Sequence, residues 1–243
     1  MTDAVRVSLA ADDMLEITLA APEHGNALDA AMADAMLKAL RELPETAKGI
    51  VLTAEGADFC AGRRGGMPAS PGVKLTAVDI RKKVIEPVLD LYQAMRNAPV
   101  PIYAAVQGRA AGVGAALAGL ADVAIAAEDA VFTIPEMNHD IAPTLVMTAL
   151  VERMPRNHLA RLVITRDPID GKMAQMLGIV SMVAPAAKLS EELARVRKQG
   201  TTASVQTVRA VKAFLTAASE TSFATRRDYA AMVNAAAMAE RFR

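Results

Sequence analysis

Along this chain, short apolar or alternating runs take turns with helix-period stretches up to about residue 185, and only helical patterning follows. "VRVSLA" and "MLEITLA", joined by "ADD", read as a hairpin. "GIVLTAEG", "PIYAAVQG", "DVAIAAEDAVFTIPE" and "IVSMVA" read as further strands, the third with a turn at Glu128-Asp129. Between them, "GNALDAAMADAMLKALREL" places Leu28, Met32, Met36, Leu37 and Leu40 at helical spacing, with Asn26 as the expected N-cap and Pro44 as the stop. "VDIRKKVIEPVLDLYQAMRNAP" predicts a helix broken near Pro87 and closed by Pro99, and "GVGAALAGLA" a helix of small residues. This alternation predicts an α/β layered fold with right-handed crossovers. From residue 189 on, three helical stretches carry alanine-rich faces that need a partner surface, either the core or another subunit. The expected division is therefore a core over 1–188 and a helical region over 189–243.

The chain has 243 residues, 53 % of them hydrophobic, enough for one large core and too apolar for disorder. Twenty-seven basic and 27 acidic residues cancel, which argues against nucleic acid as a partner, since phosphate binding needs a clustered positive excess. The single cysteine, Cys60, allows no intrachain disulfide. The N-terminus carries acids early and shows no signal-peptide pattern. The most apolar window, 110–127, owes its hydropathy to alanine and contains Asp122, so no membrane span is expected. The expected setting is soluble and cytoplasmic. Most of the 14 Met residues read as core filler, and a few could line a pocket for a flexible apolar ligand.

The stretch "VQGRAAGVGAALAGLAD" (106–122) has three closely spaced glycines and no charge between Ala110 and Asp122. Small residues at a strand-to-helix turn let a ligand approach free backbone N–H groups, where the helix dipole favours negative charge. Such a place can hold a phosphate or an oxyanion formed during a reaction. "GRAAGVG" is neither of the familiar nucleotide-binding fingerprints. Close packing of the helix explains the smallness equally well when this stretch is taken alone. A second loop of the same kind, "FCAGRRGG", follows another strand, and two such loops can aim two N–H donors at one oxygen.

With both loops in view, the sequence resembles the crotonase (enoyl-CoA hydratase/isomerase) superfamily. "GNALDAAMADAMLKAL…GIVLTAEGADFCAGRRGG" resembles its first signature, and "VPIYAAVQGRAAGVGAALAGLADVAIAAEDAVFTIPE" its second. "ITRDPIDGKMAQMLGIVSMVAP" resembles a later helix-strand segment, so the likeness runs from about residue 15 to about 190. The resemblance implies a spiral of ββα units, a C-terminal helical region used in trimer assembly (a homotrimer or dimer of trimers), and an acyl-CoA thioester as substrate. Coenzyme A is then part of the substrate, and no separate cofactor, metal, membrane or nucleic acid is implied.

Carried over by position, the oxyanion-hole amides are those of Arg63 and Val113. Ala61 and Gly62 lie along the CoA, and Gly112, Ala116 and Asp140 line the substrate. Each donor to the thioester oxygen is worth about 3 kcal/mol by comparison with other oxyanion holes. Val113 departs from the family's glycine; a β-branched residue there needs negative φ and narrows the cleft.

Hydratases of this family use two glutamates, whose positions here hold Ala116 and Glu136. The proteins resembling Δ3,Δ2-enoyl-CoA isomerases keep only the second, because one base can take a proton from C2 and return it to C4 of a bent chain. Glu136 is the expected catalytic residue, partly desolvated with a raised pKa. Hydration, thioester hydrolysis and decarboxylation are the alternative chemistries, and a CoA-ester-binding protein without turnover is the alternative class. Asp140, also glycine in the family, reads either as a second acid or as a loop residue accepting backbone bonds. His139 could titrate near neutral pH. His24 and His158 read as ordinary surface or helix residues, and Cys60 as a buried small group. Arg63-Arg64 and Arg81-Lys82-Lys83 read as CoA-phosphate ligands or as a solvated face.

Overall fold

The computed structural model describes residues 4–65 and 75–239. The expected continuation of the glycine-rich loop through residues 66–72 and the end of the tail beyond 239 lie outside the described residues. The hairpin forms: β1 (Val5–Leu9) runs antiparallel to β2 (Met14–Leu19), with Val5 opposite Leu19. β1 is the edge of its sheet and exposes Val7 and Leu9. From β2 onward the pairing is parallel through β3 (Gly49–Ala54), β4 (Ile102–Val106), β6 (Val123–Ala127) and β9 (Met182–Ala184), giving the order β1-β2-β3-β4-β6-β9. Every residue of β4 is buried, as a parallel strand covered on both faces requires.

One face of this sheet is covered by α1 (Ala30–Arg41) and α3 (Glu86–Arg96). The other carries α8 (Leu189–Thr201), whose Leu193 and Val196 pack on a small cluster of Met14, Val51 and Tyr103. A second, three-stranded sheet of β5 (Arg109–Ala111), β7 (Val131–Thr133) and β8 (Ile169–Asp170) stands beside the first. The small-residue helix α4 (Val113–Leu120) is buried over seven of its eight residues and packs on α5 (Thr144–Leu150). Gly119 faces Leu150 so closely that a Cβ there would lie 2.4 Å from Cδ2. This mixed α/β architecture, with helices gathered at its C-terminus, is the fold class expected.

Three local expectations are corrected. Asn26 is not the cap of α1: Asp29 is, accepting from the Met32 amide at 2.9 Å. Asn26 is instead fully buried at φ 54, where its side chain accepts from Ala21 N (2.8 Å) and donates to Glu55 O (2.8 Å) and Asp58 O (2.7 Å). It thus stitches the start of one loop to the end of β3. The helix around Pro87 is not broken either. α2 (Ala77–Ile80) passes through a π-helical stretch, Arg81–Ile85, into α3, and Pro87 falls in the first turn of α3, where its missing N–H costs little. Finally, the strand expected over 101–108 forms only over Ile102–Val106. The chain turns at Gly108 (φ 55) and enters β5 in the other sheet.

In the C-terminal region α9 (Val205–Ala218) packs against α10 (Phe223–Ala239), with the Phe214 and Tyr229 rings stacked at 6.4 Å. α9 is pinned to the core by Lys212, which is 4 % exposed and meets both oxygens of Asp122 at 2.8 and 2.9 Å. Asp122 also accepts from the Ile102 amide at 2.8 Å, so the only charge in the alanine-rich stretch joins β4 to the tail. Lys212→Met leaves that carboxylate buried without its cation. The expected loss is about 3 kcal/mol in denaturant unfolding. The pair replacement Asp122→Asn with Lys212→Met should recover part of it.

Candidate active site

The two glycine-containing loops are brought together. Phe59 N donates to Gln107 O (2.8 Å), Cys60 N to Arg109 O (3.0 Å) and Ala111 N to Cys60 O (2.9 Å). Asp58 fixes the arrangement from the side, accepting from the Arg109 backbone (2.9 Å) and from its guanidinium (3.0 and 2.6 Å). The Arg109 side chain holds the Asp58 carboxyl below its ordinary range. Neither this brace nor Asn26 is legible as a site residue in the sequence, because an Asp and an Arg 51 positions apart carry no local signal.

Within the first loop, Leu28 N donates to Gly62 O (2.8 Å) and Arg64 N to Leu28 O (2.9 Å). Arg63, paired with Leu28 in this parallel bridge, therefore turns its own N–H away from Leu28. Val113 is the first residue of α4, so its amide has no intrahelical acceptor. Among the described residues neither amide donates to any group. Gly112, at φ 51, takes the strained conformation ahead of the helix, which leaves Val113 outside the positive-φ region, as a β-branched residue needs. Gly62 (φ 123) turns the other loop and is near Ala111 O. Ala61 donates to Gly25 O at 2.8 Å.

Glu136 opens a short 3-10 turn, Glu136–His139, just after β7. Pairing of β5 with β7 sets its position, since Gly112 N donates to Thr133 O at 2.9 Å. The carboxylate lies over Gly112: a Cβ on that residue would be 2.5 Å from Oε1. Oε2 is buried and has no partner among the described residues. Desolvation raises the Glu136 pKa above the ordinary carboxylate range, against an opposing backbone hydrogen bond. Ala116, one turn into α4, is fully buried and presents no carboxylate.

Asp140 takes the loop position that one of its two readings expects, without the hydrogen bonds that reading gives it. It is exposed, sits at φ 56 closing the turn, and its side chain accepts no hydrogen bond from the described residues. His139 is exposed as well. Cys60 is buried, its thiol donating to Gly62 O at 3.3 Å and pushed up in pKa by burial. Of the cations, Arg64 pairs with Asp29 (2.7 Å) and Arg81 with Glu86 (2.8 Å), while the Arg63 guanidinium donates to Val84 O in the π-helical stretch (2.8 Å). Tyr92 of α3 is 4 % exposed, and its phenol is pushed up by burial and then by the charge of Glu136. In the sequence Tyr92 is one more apolar-face position of a helix.

An enoyl-CoA hydratase/isomerase family model matches residues 10–241. The chain belongs to the enoyl-CoA hydratase/isomerase family. It is 30 % identical over 194 residues to the enoyl-CoA hydratase domain-containing protein 3, mitochondrial, of Rattus norvegicus, covering 77 % of this chain and 62 % of that protein. It is 46 % identical over 116 residues to a "Probable enoyl-CoA hydratase" of Rhodobacter capsulatus, covering 48 % of this chain and 43 % of that one. The matches therefore span less than two thirds of these relatives' lengths. Among solved structures, a Thermobifida fusca YX protein in complex with CoA superposes with a TM-score of 0.88 at 25 % identity, over 98 % of this chain and 94 % of that one. The crotonase-like fold expected from the two motifs is thus shown. Among the described residues no helix is long and apolar enough to cross a membrane, and no group of three or more His, Cys, Asp or Glu side chains is placed to hold a metal.

Proposed function

We propose that this family member acts on an acyl-CoA thioester as a Δ3,Δ2-enoyl-CoA isomerase. The observation that carries the reading is a lone carboxylate: Glu136 sits against Gly112, beside the free amide of Val113, while position 116 is a buried alanine. The amides of Arg63 and Val113 hold the thioester oxygen. Glu136 takes a proton from C2, charge moves onto that oxygen as a dienolate, and Glu136 returns the proton to C4, leaving the double bond between C2 and C3. Ala61 and Gly62 run along the CoA, and Gly112, Ala116 and Asp140 border the acyl group. Lys82 and Lys83 form no ion pair among the described residues, whereas Arg64 and Arg81 do, so the two lysines are the cations we assign to the CoA phosphates. The reaction relocates a proton and a double bond with no net oxidation or reduction, so it calls for no redox cofactor beyond the CoA of the substrate.

The names of the relatives favour hydration as a second reading, with Asp140 as the second acid. Its exposed side chain weighs against that role. The deciding assay supplies 3-enoyl-CoA and 2-enoyl-CoA separately. Interconversion of the two supports isomerisation. Formation of 3-hydroxyacyl-CoA supports hydration, and free CoA or carbon dioxide supports hydrolysis or decarboxylation. Binding without turnover supports a CoA-ester-binding protein. The proposal also includes assembly as a trimer or dimer of trimers through residues 189–243, in a cytoplasmic setting. Exposed Val211, Leu215, Phe223, Met232 and Met238 on α9 and α10 support the assembly.

A further inference from the structure

The two loops that lead to the Arg63 and Val113 amides do not meet in a regular ladder. Successive amides of the first loop, Phe59 N and Cys60 N, donate to Gln107 O (2.8 Å) and Arg109 O (3.0 Å), carbonyls that are not successive. A parallel ladder spaces its bonds evenly along both strands, so the pairing skips a residue at Gly108. Glycine permits the skip: φ is 55, and a Cβ there would lie 1.9 Å from Ala57 O. Past it the pairing is ordinary, with Cys60 opposite Ala110. Continued backward, that pairing would give the Arg109 amide the carbonyl of Asp58. Asp58 O is instead taken by Asn26 Nδ2 (2.7 Å), and Asp58 Oδ1 accepts the Arg109 amide at 2.9 Å. The carboxylate of Asp58 thus stands in for its own carbonyl at the point where the register of the two loops is set. Gly25 packs on the same spot, since a Cβ there would lie 3.0 Å from Ala61 Cβ and 3.2 Å from Asp58 Oδ2.

We propose that Asp58 is a positioning residue for the oxyanion hole, its Oδ1 on the Arg109 amide fixing the register in which the Arg63 and Val113 amides face one oxygen. This rests on the reading of those two amides as the hole. The backbone bonds between the loops do not by themselves say which residues pair, because every residue offers the same N–H and C=O. A slip by one residue carries one loop about 3.3 Å past the other. A side chain bonded to a main-chain amide is available at one position only, so it makes the register unique. The same carboxylate also holds the Arg109 guanidinium, but that side chain is 62 % exposed and such an ion pair contributes little. The bond to the main chain is the one that orders the loops.

The two bonds are separable. Asp58→Asn keeps Oδ1 as an acceptor and gives up the charge. Asp58→Glu keeps the charge and carries the carboxylate one methylene away from the amide. With 3-enoyl-CoA, kcat in Asp58→Asn should stay within about threefold of the parent, because the acceptor is retained. In Asp58→Glu it should fall about 30-fold with KM changed less than about threefold, since an ångström of misplacement costs up to about 100-fold. Asp58→Ala, which removes the acceptor without adding bulk, should match Asp58→Glu. A merely stabilising ion pair gives the reverse order, with Asn the worse variant. The second readout needs no turnover. Infrared difference spectra of bound butanoyl-CoA, a saturated ester with an isotope-labelled carbonyl, report how strongly the hole polarises that carbonyl. The band should shift to lower wavenumber in the parent and in Asp58→Asn, and should lose most of that shift in Asp58→Glu and Asp58→Ala. A full shift in those two variants, or kcat kept in Asp58→Glu and lost in Asp58→Asn, overturns the proposal. If the parent leaves the carbonyl unshifted, the oxyanion-hole reading fails and takes this role with it. If the carbonyl responds as expected while no 3-enoyl-CoA is converted, Asp58 keeps its role and the isomerase reading fails.

Discussion

Glu136→Gln is expected to lower the kcat of double-bond migration by a factor of about 10² to 10⁴, the range supplied by a positioned acid-base group, while leaving affinity for a CoA ester nearly unchanged. The carboxamide fills the same space but can neither take a proton from C2 nor return one to C4. Exchange of the C2 hydrogens with deuterated solvent should disappear with it. The variant should fold normally, because Oε2 has no partner to lose. The sign of the stability change follows from the raised pKa. Since the folded state holds this proton more tightly than the unfolded chain, stability falls as pH rises through the folded-state pKa. A neutral glutamine removes that loss, so Tm above this pKa should be unchanged or a few degrees higher. In the parent protein, activity should rise with pH as Glu136 ionises, with a limb above the ordinary carboxylate range. Hydration retained in Glu136→Gln would point to Asp140 and overturn the single-carboxylate mechanism.

Gly114→Ala should damage the site from the other side. A Cβ on Gly114 would lie 2.2 Å from the Cys60 carbonyl oxygen and 3.0 Å from the Cys60 Cβ. The obstacle is backbone, so either α4 lifts away or the loop at 60–63 shifts. Gly114 is helical and outside the positive-φ residues, so the conflict is one of packing and not of backbone conformation. Overpacking of this kind costs about 1–3 kcal/mol, readable in thermal unfolding. The larger effect is on catalysis. Separating Arg63 from Val113 by about an ångström should lower kcat/KM about 100-fold, because two donors must meet one oxygen. Full activity in this variant would show that the two loops do not act together.

The small residues of 106–122 therefore serve both purposes that the sequence leaves open. Gly119 admits Leu150, and Gly114 admits the Cys60 carbonyl, which is packing. Gly112 admits a carboxylate over its α carbon and turns the chain so that Val113 opens a helix with a free amide, which belongs to the site. No spacing rule separates these uses, since each depends on what lies opposite the glycine in space.

What the sequence settled by itself was local and periodic. The alternation of strand and helix runs, the hairpin at the start and the three tail helices follow from burial patterns that repeat within one element. The two glycine-containing motifs, read together, placed the chain in its family. The tertiary structure decided what depends on partners far apart in the chain. Asp58 meets Arg109, Asp122 meets Lys212, and Asn26 gathers the backbone of residues 21, 55 and 58. It also turned residues 109–111 into a strand of a second sheet, which carries Glu136 to Gly112. A buried polar group is stable only beside its partner, and a sequence names the partners without saying which of them meet.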